Sequence, residues 1–172
     1  MCKLLIISII NFKFKKYFLL FCWLLTAQFG YAQSAFQLQI DAPVIGKVCP
    51  DYIFATLGRH GIKEDSISAY RGQVLILEFW ATNCRPCIPA MDNFEILEAS
   101  FPNQVKVLEI TNEERAKVEA FLTKHATGST IVLDSDHRLN NAFYHHLIPH
   151  TVLIDPSGVV RAFTSQIGRA HV

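Results

Sequence analysis

The chain predicts an α/β domain with a central mixed β-sheet flanked by helices, and three features carry that prediction. Residues 73–81 form an apolar run with neither face reserved for water, the pattern of a central strand covered on both sides. Two further apolar runs, 104–110 and 130–133, alternate with segments of helical spacing. A last pair of runs, 151–154 and 159–163, flanks Asp155-Pro156-Ser157-Gly158, whose composition is that of a hairpin turn.

The elements follow in chain order. Residues 34–47 read as an irregular lead-in broken by Pro43 and Gly46. Residues 51–57 read as a strand turning at Gly58-Arg59-His60-Gly61, and 66–70 as a short turn or helix ending at Gly72. Within 87–101, Ala90, Phe94, Leu97 and Phe101 recur at helical spacing. Pro89 falls in the first turn, where a missing N–H is tolerated, and Pro102 stops the helix. Asn112 is expected to cap a helix over 113–125, with Glu113 and Glu114 at its positive end, Lys124 at its negative end and Gly128 as terminator. A helical piece is expected near 136–146. No internal repeat or low-complexity linker interrupts the series.

The ends read differently from the middle. Lys3, Lys13, Lys15 and Lys16 precede the apolar stretch 17–25, and Gly30-Tyr31-Ala32 supplies small residues for a peptidase. Residues 1–32 are therefore expected to be a signal peptide cleaved before Gln33, placing the mature chain in the periplasm or another extracytoplasmic space. The apolar core is shorter than the ~20 residues that span a bilayer, although the earlier run 4–10 leaves a retained anchor as the alternative. Leu19-Leu20-Phe21 ahead of Cys22 lacks the small residue that lipidation needs. The last six residues, 167–172, match an in-frame translation of a sequencing adapter and are expected to lie outside the natural frame. That leaves a lead-in over 33–46 and one domain over 47–166, enough for a proper core. Setting aside the four lysines and Arg169 turns 16 basic against 15 acidic residues into a mildly acidic domain. Such a domain, with no basic run, is a poor binder of nucleic acid, and a monomer is expected.

Cys84-Arg85-Pro86-Cys87 follows directly on the central strand. Two cysteines at this spacing can form a short reversible disulfide, a structural bridge, or half of a metal site. A strand running into the pair places the first sulfur near a helix N-terminus, whose free N–H groups and dipole favour the reactive thiolate. Zinc usually takes four protein ligands, and no second such pair is present. Thiol–disulfide exchange is the favoured chemistry, in keeping with an oxidising compartment. Arg85 adds positive potential beside Cys84.

These residues carry a wider resemblance. Phe79-Trp80-Ala81-Thr82 before the cysteines, Gly72 ahead of the strand, and Ile148-Pro149-x-Thr151-x-Leu153-Ile154-Asp155-x-x-Gly158 resemble the thioredoxin fold. More closely they resemble exported TlpA/ResA-like thiol–disulfide oxidoreductases, and Cys49-Pro50-Asp51-Tyr52 resembles the lead-in of that redoxin group; the likeness covers about 47–164. The resemblance implies that Cys84 is the attacking thiol and Cys87 the buried resolving thiol. It implies that Pro149 is a cis-proline facing the sulfurs, and that Trp80, Ile148 and Pro149 line the docking site of an extended substrate. Cis bonds make up only about 5–6% of X–Pro bonds in folded proteins, so this is a sharp expectation. It implies no organic cofactor. The partners it implies are disulfide-containing exported proteins as substrates and a membrane thiol reductant upstream, with reductase use favoured over oxidase or isomerase use. Three departures stand out: Asn83 replaces the usual tryptophan, Ala90 stands where a glutamate is common, and the chain ends before the closing helix of the fold.

Glu78 alternates onto the face of Val74, Ile76 and Trp80. A carboxylate in an apolar row is costly unless protonated or paired. Thioredoxins hold a buried acid at the matching position, so Glu78 is expected to take the proton of Cys87. The other reading is a strand-end acid paired with a cation. His145, His146 and His150 surround Pro149; His150 is expected to be a partly exposed loop residue, with a copper- or haem-handling role alongside Cys84 and Cys87 as the rival. A redoxin-like binding domain of a longer exported protein is a second rival. Cys49 is expected to be a small buried residue, outside any peroxidatic pattern.

Overall fold

A computed structural model describes residues 43–58 and 61–164. The expected signal peptide, most of the lead-in, the tip of the first turn and the suspected adapter tail lie outside the described residues. Seven strands form one mixed sheet: β1 (Ile53–Gly58), β2 (Gly61–Ser66), β3 (Val74–Phe79), β4 (Val105–Thr111), β5 (Thr130–Leu133), β6 (His150–Ile154) and β7 (Val160–Thr164). Their order is β2-β1-β5-β4-β3-β6-β7. The central β3, β4 and β5 run parallel, and every other neighbouring pair is antiparallel. Among the described residues, three helices, α1 (Cys87–Ser100), α2 (Arg115–Leu122) and α3 (Arg138–Ala142), and a 3₁₀ turn at Ile67–Tyr70 accompany the sheet.

The sheet separates two apolar layers. One holds Leu75, Leu77 and Phe79 of β3 with Leu108, Ile110, Val132 and Val152, covered by Leu139 of α3, Phe143 and Ile67. The other holds Ile76, Trp80, Val107 and Ile131, covered by Cys87, Met91 and Phe94 of α1 and Val118 of α2. The chain steps from β3 to β4 to β5 in one direction across the sheet. Right-handed crossovers on successive steps must put their helices on the same face, so α1 and α2 lie together. The expectation of helices on both faces holds because α3 takes the opposite one.

Several elements differ from expectation for local reasons. Strand β2 was not expected: Gly61–Ser66 carries Lys63, Glu64 and Asp65, and it is the edge strand, where charge guards against unwanted pairing. The helix expected over 113–125 covers only Arg115–Leu122, and Glu114, not Asn112, is the residue before it, without a side-chain cap. Asn112 instead bonds the His137 ring at 3.1 Å. The piece near 136–146 shortens to five residues, fixed by Asp134, which accepts from the Leu139 and Asn140 amides at 3.0 and 2.8 Å. The end of the lead-in lies along β7, with the Gly46 amide donating to the Val160 carbonyl at 2.8 Å, and the start of the domain follows it, with Val48 bridging Val159 and the Cys49 amide donating to the Gly158 carbonyl at 2.8 Å. Gly158 has φ +79, the left-handed region that favours glycine, and its open side is filled by the Arg71 guanidinium.

Candidate active site

Strand β3 ends at Phe79, and Trp80, Ala81, Thr82 and Asn83 carry the chain to the cysteines. The Trp80 amide still donates to Ile110 of β4 at 3.0 Å, so the sheet holds the loop's first residue. The Cys84 amide donates to Ala81 at 2.9 Å and the Cys87 amide to Cys84 at 3.1 Å, closing a tight turn. Helix α1 begins at Cys87, which leaves Cys84 in the turn just before the helix. The two sulfurs form a disulfide of 2.00 Å with the Cα atoms 5.3 Å apart. Cys84 keeps 8% of its surface and Cys87 none, so Cys84 is the less enclosed of the two.

The Ile148–Pro149 peptide is cis, as the resemblance implies. Ile148 packs against the cluster that contains Trp80, Cys84 and Cys87, which brings the proline loop to the disulfide. Trp80 itself is only 3% exposed, its ring 5.2 Å from Phe121 of α2. It therefore supports the cysteine turn from beneath, with little surface of its own. Arg85 and Asn83 are exposed beside the disulfide, and Ala90 packs into the Ile76–Phe94–Val107 cluster.

Glu78 is fully buried on the α1 face of the sheet. Thr151 of β6, its partner in register, donates its hydroxyl to one carboxylate oxygen at 2.5 Å. Burial raises its pKa to about 7, against a smaller opposing effect of that hydrogen bond. The cation-paired reading of Glu78 fails, since its second oxygen has no partner among the described residues.

Two acids that sequence reasoning missed complete the surroundings. Glu109 lies directly opposite Glu78 in the parallel β3–β4 register and is also fully buried. Burial and the neighbouring Glu78 push its pKa well above the ordinary carboxylate range. The alternation of β4, with Val107 and Glu109 on the α1 face, was the signal that could have found it. Glu113, expected at a helix start, reaches back to accept from the Thr82 amide at 2.7 Å and the Thr82 hydroxyl at 3.1 Å. It also pairs with Lys117, and these donors hold its carboxyl below the usual range despite partial burial. Glu113 thus pins the loop that presents Cys84.

His150 is buried, contrary to expectation, with its ring stacked on His145 at 4.7 Å and against Phe79 at 5.8 Å. Desolvation lowers its pKa to about 4. Phe79 belongs to the layer covered by α3, across the sheet from α1. Among the described residues, no three histidine, cysteine or acidic side chains come together as a metal set, so the Cys84–Cys87–His150 ligand group is not assembled. Cys49 is buried as expected, with burial pushing its thiol up to about 12, far from a nucleophile.

A strand-to-helix disulfide beside a cis-proline on a mixed sheet defines a thioredoxin-fold redox protein. The AhpC/TSA family model matches residues 45–163, and the chain belongs to that family. Within it the chain is a ResA-like thiol–disulfide oxidoreductase. It is 31% identical over 140 residues to thiol-disulfide oxidoreductase ResA of Geobacillus kaustophilus, covering 80% of this chain and 79% of the relative. The ResA of Geobacillus thermodenitrificans is 32% identical over 142 residues, with the same shares covered. Among solved structures, StoA from Bacillus subtilis superposes with a TM-score of 0.55 at 27% identity, covering 66% of this chain and 87% of that one. The thioredoxin domain of a Bacteroides vulgatus thiol-disulfide oxidoreductase gives 0.61 at 17% identity, over 71% and 89% of the two chains, and speaks for the fold alone.

Proposed function

We propose that the protein reduces disulfides of exported proteins, and the observation that carries this reading is the Cys84–Cys87 disulfide, less enclosed at Cys84 and set against the cis-Pro149 loop. In the reduced protein, the Cys84 thiolate attacks a substrate disulfide, forming a mixed disulfide and releasing one substrate thiolate. Cys87 passes its proton to Glu78, attacks Cys84 Sγ, and releases the second substrate thiolate as the Cys84–Cys87 bond forms. Two electrons move from the cysteine pair to the substrate, whose thiolates take up two protons. An upstream membrane dithiol resets the pair. Ile148 and Pro149 present the edge on which an extended substrate docks, and the reaction takes place outside the cytoplasm, with the protein a monomer. The ResA names of the relatives and their thiol-disulfide activity support the reading.

The test is reduction of a disulfide-bonded protein such as insulin by the full chain, together with the Cys84–Cys87 reduction potential. A Cys84→Ser variant is expected to lose the activity, and a potential near that of thioredoxin, about −270 mV, fits a reductase. A potential near −120 mV would mark an oxidant instead. Activity retained by Cys84→Ser would refute the proposal.

A further inference from the structure

The buried acid beneath the cysteines is not single. Glu78 and Glu109 are register partners on adjacent parallel strands and lie on one face of the sheet. Neighbouring strands are about 4.8 Å apart, so the two side chains project side by side beneath α1, near enough for Glu78 to raise the pKa of Glu109. Both residues are 0% exposed, and among the described residues only one of their four oxygens, Glu78 Oε2, has a donor. Among the described residues, no cation pairs with either carboxyl. From β6 comes the Thr151 hydroxyl; from β5, Ile131 lies opposite Glu109; from α2, Val118 packs beside Ile131. From α1 come Cys87 and the carboxylate of Glu98, which is held by Lys106 at 2.6 Å and by the Val107 amide at 2.9 Å. Two unpaired carboxylates cannot both ionise at this separation in a medium of low dielectric.

We propose that Glu78 and Glu109 act as one carboxyl pair that holds a shared proton beneath Cys87, with Glu109 a positioning residue that acts through Glu78. The inference rests on the exchange reaction above for its role in turnover. A singly protonated pair always contains one carboxylate that can accept and one carboxylic acid that can donate. In the resolving step, the Cys87 S–H bond breaks and its proton makes the pair doubly protonated. The Cys87 thiolate then attacks Cys84 Sγ, the bond from Cys84 to the substrate sulfur breaks, and that sulfur leaves with the electron pair and is protonated by water. When a dithiol later reduces Cys84–Cys87, the pair returns its extra proton to the Cys87 thiolate. A lone carboxyl would alternate between neutral and charged in an apolar layer. The pair alternates between one proton and two.

Two measurements on the full chain test this. Infrared titration of the oxidised protein reads the carboxyl protons without turnover. Glu109→Gln is expected to replace the two midpoints of the pair, the upper one raised by the charge already present, with a single Glu78 midpoint at least one pH unit below that upper one, a tenfold change in proton affinity, with Glu109→Leu as the second variant should the first fail to fold. An unmoved midpoint overturns the pair. The pH–rate profile for oxidation of the reduced protein by a disulfide peptide reads its role. Glu109→Gln is expected to shift the carboxyl inflection of the resolving step by a similar amount while mixed-disulfide formation, measured in a Cys87→Ser background, stays within twofold. A superimposable profile overturns the role. Failure of the exchange reading would show separately, as a Cys84→Ser variant that keeps the wild-type rate.

Discussion

Replacing Glu78 by Gln should remove much of the stability that the protein loses as pH rises. In the folded protein burial raises the Glu78 pKa from 4.5 to about 7, so between those values the native state holds a proton that the unfolded chain has released. Stability from this group is complete below pH 4.5 and is lost as pH rises through about 7, a change of about 3 kcal/mol. His150 works the other way. Its pKa falls from 6.5 to about 4, so the native state favours the neutral ring and gains about 3 kcal/mol as pH rises over that interval. From about pH 4.5 to 6.5 these two slopes oppose each other, while Glu109, also raised by burial, adds a further loss, so the wild type loses stability as pH rises over that interval. Glu78→Gln keeps the shape and the Thr151 contact but removes one slope. Urea unfolding of the oxidised protein at pH 4 to 8 should show the variant gaining about 3 kcal/mol on the wild type across the range. Glu109 deepens the difference, because its own ionisation becomes easier once Glu78 is neutral. Two curves that stay parallel would refute the assignment of a neutral, proton-holding Glu78, and with it the proton-acceptor role.

Cys87→Ser should stop the reaction at the mixed disulfide, giving a covalent adduct with a substrate peptide that mass spectrometry detects and that Cys84→Ser does not form. Thr151→Val removes the only described donor to Glu78, and a hydrogen bond to a charged acceptor is worth about 1.5–3 kcal/mol, so the Glu78 midpoint should rise by about one to two pH units in infrared titration. Glu113→Ala leaves the Thr82 amide without its acceptor; faster hydrogen exchange at Thr82 and a stability loss of about 1–3 kcal/mol are expected, without change in the Glu78 midpoint.

The central strands were legible because burial on both faces leaves a nearly continuous apolar run, as in Val74–Phe79, broken by Glu78 alone, and Thr130–Leu133. Strand β2 was not, because an edge strand is built from the polar residues that also make loops. The helix starts failed for a related reason. Asn112 and Glu113 have the chemistry of capping residues, but tertiary partners, His137 for one and Thr82 for the other, took those side chains first. Glu78 was found because it interrupts an apolar run that demands explanation. Glu109 sits in Val107-Leu108-Glu109-Ile110 with the same signature, yet its importance depends on which residue lies across the strand boundary, and register is not written in one strand.

That dependence on register says why the acids lie where they do. Side chains alternate with a period of two, so a slip of one residue between β3 and β4 would send Glu109 into the layer of Leu108 and Ile110. There it would meet neither Glu78 nor the α1 face. The register is set by the apolar residues on both sides of each acid: Leu77 pairs with Leu108 and Phe79 with Ile110, all four buried in the opposite layer. The same-face placement of α1 and α2, forced by two successive right-handed crossovers, then roofs the acids and excludes water from them. The strongest apolar packing in the chain is thus what holds two carboxyls together at a site where neither would be stable as a free charge. Their shared proton is a consequence of the fold's core, and its chemical use depends on the cysteine that the same strand delivers to the helix above it.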